Sequence, residues 1–261
     1  MIVYFSGTGN SVFVARQLAS LMRERKVVAL HGSSLSQTKM SVDSAENIIW
    51  VFPVYSWGVP PVVGKFVANL VLDGDLTAII HHAVITCGDD IGRADRQWRK
   101  MLEKKGWTSG CVATVQMPNI YVLMKGFDID SEKIEKHKIE TATTRVEEVA
   151  RLIKSGVRAT DVLRGKFGWF KTSVIYPWFV RYAMSPKPFH ATTNCISCGK
   201  CASGCPLQNI KMAASEGTRP IWSDNCALCL RCYHFCPVDA VQYGKATRNK
   251  GHYRLFSNTE F

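Results

Sequence analysis

Along residues 1–156, short unbroken apolar runs take turns with longer mixed stretches. The runs at 2–5 (IVYF), 27–30 (VVAL), 48–52 (IIWVF), 83–86 (AVIT) and 112–115 (VATV) are continuous rather than alternating. That is the pattern of strands covered on both faces, as in a parallel sheet. The stretches between and after them, 11–25, 61–71, 92–105 and the charged 131–154, read as helices. Pro61 suits a first helical turn and Gly106 a helix exit. Strand and helix in alternation predict a doubly wound α/β domain over residues 1–156, with ligands at the carboxyl ends of the strands.

Past residue 156 this pattern is lost. Residues 157–189, including GKFGWFKTSVIYPWFVRYAMSPKPF, are rich in aromatic and basic side chains. Two readings compete. One is an interfacial helix, with Trp169, Phe170, Trp178 and Phe179 near a lipid headgroup layer and Lys171 and Arg181 at its edges. The other, taken as the expectation, is a packed linker whose aromatic face holds two domains together, with Pro177, Pro186 and Pro188 interrupting any long helix. No apolar run in the chain approaches the roughly 18–20 residues of a membrane span.

From residue 190 cysteine sets the pattern. CISCGKCASGCP (195–206) and CALCLRCYHFCP (226–237) share the offsets Cys-x2-Cys-x2-Cys-x3-Cys-Pro, which absorb eight of the ten cysteines. A disulfide framework belongs to small secreted domains, whereas this sequence opens MIVYFSGTGN, without a leader's basic, apolar and cleavage regions. Zinc takes four ligands and leaves the third cysteine of each run unexplained. The spacing resembles that of bacterial ferredoxins carrying two [4Fe-4S] clusters, in which three close cysteines hold one cluster and the fourth reaches the other. The resemblance implies Cys195, Cys198, Cys201 and Cys236 on the first cluster, and Cys226, Cys229, Cys232 and Cys205 on the second. Pro206 and Pro237 then turn the chain after each fourth cysteine.

The expected strand ends carry a second chemistry. SGTGNS (6–11) lies between the first strand and first helix, offering hydroxyls from Ser6, Thr8 and Ser11, an open backbone at Gly7 and Gly9, and the positive end of a helix starting near Asn10. It lacks the Gly-Lys-Ser/Thr of a nucleotide P-loop and the third glycine of a dinucleotide fingerprint. It resembles the phosphate loop of flavodoxins, which implies the monophosphate of FMN. The next strand end, PVYSW (Pro53, Val54, Tyr55, Ser56, Trp57), supplies aromatic rings for a planar isoalloxazine, and CGD (Cys87, Gly88, Asp89) supplies polar groups for its edge, together with Asp90. Asn119 and Tyr121 of MPNIY either close that pocket or cap a loop. Cys87 reads as a small buried neighbour and Cys111 as a strand residue. His81 and His82 read as surface or hydrogen-bonded residues without catalytic work.

Taken together, YFSGTGNS, MPNIY, the Tyr-Pro-x-Phe of the linker, both cysteine runs and the trailing QYGKAT resemble the flavodoxin–ferredoxin fusion proteins over roughly residues 1–250. That family implies a flavodoxin-like doubly wound parallel sheet over 1–156, a linker over 157–189, and a small α+β 2[4Fe-4S] ferredoxin-like domain over 190–261. It implies FMN and two [4Fe-4S] clusters as cofactors and no particular substrate.

A flavin takes up electrons in pairs and the clusters carry them singly, so the expected function is an electron relay with a redox partner protein, a ferredoxin or a reductase. A reductase acting on a small-molecule acceptor, with Tyr121, Asp89 or Asp90 as proton donor, is the alternative; a redox-responsive binding protein is a third. Charge agrees with bound anions: residues 157–261 hold 14 basic and 5 acidic residues, against 19 and 16 in residues 1–156. Each cubane with four thiolates carries about −2, and the dispersed basic residues argue against nucleic acid as the partner. Eight thiols kept for iron imply a reducing compartment, the cytoplasm of an anaerobe.

Overall fold

The structure is a computed structural model that describes residues 1–42, 47–74, 79–213 and 219–255. Six strands, β1 (Ile2–Tyr4), β2 (Val27–Ala29), β3 (Ile48–Pro53), β4 (Ile80–Cys87), β5 (Thr108–Gln116) and β6 (Thr160–Asp161), form one sheet in the order β2-β1-β3-β4-β5-β6. Every neighbouring pair is parallel. Helices α1 (Asn10–Met22) and α4 (Glu132–Lys154) bury Val14, Leu18, Val146 and Val149 against one face. Helices α2 (Pro61–Asn69) and α3 (Ala94–Lys104) bury Phe66, Val67, Trp98 and Leu102 against the other. Cover on both faces is why the strands read as continuous apolar runs. The order 2-1-3-4-5 is that of the flavodoxin-like fold, with its binding crevice where the order reverses between β1 and β3.

The strand β6 escaped the sequence pattern because its two exposed polar residues pair with β5 only at the sheet edge. Helix α2 ends at Asn69, and Val71, expected in it, begins a short strand (Val71–Asp73) parallel to Lys39–Ser41. His81 and His82 are not on the surface. Both lie buried within β4. Trp50 Nε1 donates to His81 Nδ1 at 3.0 Å, and His81 stacks on Trp107 at 4.5 Å. The Cys111 backbone N–H donates to His82 Nδ1 at 3.1 Å. Burial holds both imidazoles neutral, lowering each pKa to about 4.

After β6 the chain runs as a helical segment from residue 168 to 183, in which α-helical turns alternate with π-helical stretches at Lys171–Ile175 and Phe179–Ala183. Pro177 does not interrupt it. The ring occupies the first turn of the short Tyr176–Trp178 stretch, following one π stretch and preceding the next.

The cysteine-rich region is two copies of one unit, 31 positions apart from Cys195 to Cys226. Strands β7 (Phe189–Ala191) and β9 (Pro220–Trp222) are equivalent, as are β8 (Ile210–Met212) and β10 (Val241–Tyr243). The pairs β7–β10 and β8–β9 are both antiparallel. Short helices Lys200–Ser203 and Arg231–His234 follow equivalent left-handed residues, Gly199 and Leu230. Left-handed backbone also recurs at Ser197 and Leu228, and at Gln208 and Asp239. The repeat read from cysteine spacing is therefore a repeat of backbone conformation.

Candidate cofactor sites and their junction

Cys205, Cys226, Cys229 and Cys232 line one enclosed pocket, together with Pro206, Ile210 and Trp222. Burial pushes up the thiols of Cys226 (to about 11), Cys229 (to about 12) and Cys232, with neighbouring cysteines adding to the shift. Thiols raised in this way resist ionisation until a cation compensates the charge. Backbone donors are already aimed at sulfur: Asn209 N–H at Cys205 Sγ (3.3 Å) and Leu228 N–H at Cys226 Sγ (3.4 Å). In the other set, Cys201 is raised to about 11 by burial and lies near Cys195 and Cys198. The Thr192 N–H to Ala240 carbonyl bond (2.8 Å) draws the turn after Cys236 beside that loop, and Ala240 N–H donates to Cys236 Sγ at 3.2 Å, the counterpart of the Asn209 bond. Among the described residues no three ligand side chains converge as a single metal ion requires. Cys205, Cys226, Cys229 and Cys232 instead ring a volume, and that donor set suits a cubane.

The carboxyl edge of the large sheet lies against this region. Gly9 is left-handed (φ 110°), its N–H donates to Ser6 Oγ (3.1 Å), and α1 opens with no side-chain cap, which leaves first-turn N–H groups available to an anion. Thr8, Asn10 and Ser11 are buried. Two of their side chains are engaged: Ser11 Oγ with Thr86 Oγ1 (2.8 Å), and Asn10 Nδ2 with the Pro118 carbonyl (2.9 Å). An anion at this loop would be left chiefly the backbone N–H groups and the Thr8 hydroxyl, since Ser6 Oγ already accepts from Gly9 N–H. Gly7 also meets the cysteine region. A Cβ there would stand 2.5 Å from the Cys229 carbonyl oxygen and 2.7 Å from Cys229 Cβ, so this glycine is where the two cofactor regions touch.

The aromatic loop after β3 is a tight turn, with Ser56 and Trp57 both at positive φ (43° and 63°) and Tyr55 and Gly58 exchanging backbone bonds at 2.9 Å. Tyr55 faces Cys226 and Cys229, whose proximity adds to burial in raising its pKa. Trp57 meets the linker helix instead: Lys171 Nζ lies 4.9 Å from its ring centroid, and its carbonyl accepts from Thr172 Oγ1 at 2.7 Å. The Tyr176 ring fills the space that a side chain at position 58 would need. Of the third loop, Asp89 is exposed, Gly88 faces Asn119, and Asp90 is taken by Lys171 (2.7 Å). Asn119 is spent on its own turn, its N–H donating to Asp130 (2.9 Å) and its amide to the Asp128 carbonyl (2.9 Å). Tyr121 packs edge-on against Phe127 and Phe179. Burial lifts Cys87 to about 12, which keeps it an un-ionised thiol.

Residues 194–253 match the 4Fe-4S dicluster domain family. The chain joins a flavodoxin-like domain to a 4Fe-4S dicluster domain. A ferredoxin of Pyrobaculum islandicum is 35% identical over 66 residues, which is 23% of this chain and 61% of that protein. Among solved structures, a flavodoxin of Streptococcus pneumonia TIGR4 is 18% identical, spanning 60% of this chain and 97% of its own, with a TM-score of 0.36. The Fusobacterium nucleatum flavodoxin bound to flavin mononucleotide is 15% identical over 59% and 95%, also with a TM-score of 0.36. The fold assignment rests on the strand order described above.

Three contacts between the dicluster and flavodoxin-like domains were not legible in the sequence. Arg231 Nη1 donates to the Gly7 carbonyl at 3.3 Å. The Gly32 N–H donates to the Pro206 carbonyl at 2.7 Å. Tyr253, past the last strand, donates its hydroxyl to Asn10 Oδ1 (2.7 Å) and its N–H to His234 Nδ1 (3.1 Å). With Nδ1 accepting, His234 Nε2 carries the proton and donates to the Ile120 carbonyl at 2.9 Å. The second joins two backbone groups and the other two rest on isolated polar side chains, with no periodic or spacing signal for the partner.

Proposed function

We propose that the protein is an electron relay in which two [4Fe-4S] clusters exchange electrons with an FMN held by residues 1–156, the linker spanning 157–189 and the clusters lying in 190–261. The observation that carries this reading is the contact of Cys229 with Gly7. It sets the second cluster's ligands against the flavodoxin-like domain's phosphate loop and Tyr55, at the carboxyl ends of the strands, where ligands of this fold class bind. The FMN supplies exchange between paired and single electrons. Its phosphate falls to Ser6, Thr8, Gly9 and the opening of α1, and its ring to the loops carrying Tyr55 and Gly88. The chain's own residues exclude water at this junction, with Cys229 and Gly7 both buried.

The two cysteine runs differ in exposure. Cys198 is exposed, whereas its equivalent Cys229 is buried. This supports an order in which an external redox protein meets the first cluster and the second faces the flavin. Eight cysteines committed to iron suit a reducing compartment, the cytoplasm. No helix among the described residues is long and apolar enough to cross a membrane. The test is anaerobic reconstitution with iron, sulfide and FMN, then cofactor counting and reductive titration by visible and EPR spectroscopy. Iron for two cubanes with one flavin, exchanging electrons, is the expected result; iron without flavin would overturn the relay.

A further inference from the structure

The linker helix, residues 168–183, packs only one side against the protein. Its inward residues come in pairs, 171/172, 175/176 and 179/180, and its exposed residues in the alternating pairs 169/170, 173/174, 177/178 and 181/182. The repeat is four residues, longer than the 3.6 of an α-helix. The two π-helical stretches widen the turn enough to keep it in register from end to end. The inward side does the work expected of a linker, through Lys171, Thr172, Tyr176 and Phe179.

The outward side is the opposite of what a packed linker requires. Phe167 is 80% exposed, Trp169 57%, Phe170 49%, Val174 44%, Trp178 55% and Tyr182 65%. Isolated exposed apolar residues are ordinary, but five aromatic rings along one short helix form a patch that marks an interaction surface. What surrounds the patch narrows the partner. No aspartate or glutamate occurs between Asp161 and Glu216. Lys166, Arg181 and Lys187 are exposed and form no ion pair among the described residues. Tryptophan, tyrosine and phenylalanine on one face, bordered by cations without acids, match the headgroup boundary of an anionic bilayer, where rings sit at the acyl edge and cations at phosphate.

We propose that this outward face docks the protein on the surface of an anionic lipid membrane, the helix lying in the plane of the headgroups without crossing. Each ring that enters the boundary contributes through buried area, and each cation near the surface adds about 1 kcal/mol.

The experiment uses the full chain carrying its clusters, sedimented anaerobically with vesicles of phosphatidylcholine alone or of equimolar phosphatidylcholine and phosphatidylglycerol. Binding is expected to the anionic vesicles, weakening as salt rises, with quenching of tryptophan fluorescence by lipids brominated in the upper acyl chain. The Trp169→Ser/Trp178→Ser double variant should lower the vesicle partition coefficient about tenfold or more, and Arg181→Gln about fivefold. Cluster absorbance per chain monitors the fold of each variant, and the quenching measured on unaltered protein needs no variant. Three results would overturn the proposal: no sedimentation with anionic vesicles at low salt, sedimentation without quenching, or a dimer in solution that the double variant dissolves. The last would make a second copy of the chain the occupant of this face.

Discussion

Replacing Gly7 with alanine perturbs the junction between the two domains with the least collateral change. Its φ lies outside the left-handed region, so alanine adds no backbone strain, and the effect is the contact alone. The new methyl would stand 2.5 Å from the Cys229 carbonyl oxygen, where real contacts stay beyond 3.0 Å and ordinary contact begins near 3.4 Å. The domains must part by between 0.5 and 0.9 Å, the differences 3.0 − 2.5 and 3.4 − 2.5. The opposing atoms are a carbonyl and a Cβ, neither of which can swing aside as the end of a long side chain would. Overpacking of this kind costs about 1–3 kcal/mol, and each kcal/mol lowers Tm by roughly 2–4 °C for a domain of 150–250 residues. Anaerobic thermal melts followed by circular dichroism and by cluster bleaching should therefore show a fall of about 2–12 °C. Gly106→Ala is the control, since Gly106 is left-handed (φ 69°) with nothing within 4 Å of its missing side chain. That variant measures conformational cost without a clash, and its flavin–cluster exchange should stay normal. If Gly7→Ala melted within a degree of the parent and exchanged electrons at the parent rate, the contact would not join the cofactors.

Three further outcomes are expected. Cys229→Ala should halve the iron content and remove one cluster's EPR signal, with the flavin count unchanged. Arg164→Ala should destabilise by about 1–3 kcal/mol in chemical denaturation, because it strips the half-exposed bidentate partner (2.9 and 2.6 Å) from Asp95, a carboxylate only 2% exposed. His81 and His82 have pKa values depressed from 6.5 to about 4, so the unfolded state takes up protons first as pH falls. Stability is full above pH 6.5 and declines toward pH 4, with the two groups together steepening the slope by up to about 2.7 kcal/mol per pH unit. Urea titrations between pH 7 and 5 should show His81→Gln with a shallower slope than the parent; equal slopes would mean the imidazole is protonated in the fold.

What the sequence made legible follows from what has a period. Strands covered on both faces leave unbroken apolar runs, and both cysteine units announce themselves by identical offsets. The strand β6 has no such signal: Thr160 and Asp161 are polar, exposed and held by one neighbour. The linker helix misled for a different reason. Proline suggests a break and an aromatic face a packed one, but Pro177 sits between two π-helical stretches and Trp169 and Trp178 are more than half exposed. Tyr253 and Arg231 act through single long-range bonds to Asn10 and Gly7, and a lone polar residue carries no mark of a partner more than 200 positions away.

The same offsets that make the cysteine runs equivalent also expose how they diverge. At matching positions the first run has Ile196, Ser197 and Gly199 where the second has Ala227, Leu228 and Leu230; two residues on from each third cysteine, Ser203 matches His234. Leu228 and Leu230 keep the left-handed backbone of Ser197 and Gly199, a conformation that costs a side-chain-bearing residue roughly 1–2 kcal/mol. The return is in burial: Leu228 is 6% and Leu230 2% exposed, packed with Phe179 of the linker helix and Val122 of the loop after β5. Ala227, small where Ile196 is 62% exposed, joins Cys229 in the apolar core of the flavodoxin-like domain. At Leu230 the second unit thus bears a strain that Gly199 avoids in the first, and it does so where its side chains belong to the junction. One repeated cysteine pattern thereby yields two unlike environments, with Cys198 at the surface and Cys229 sealed against the loop that carries Gly7.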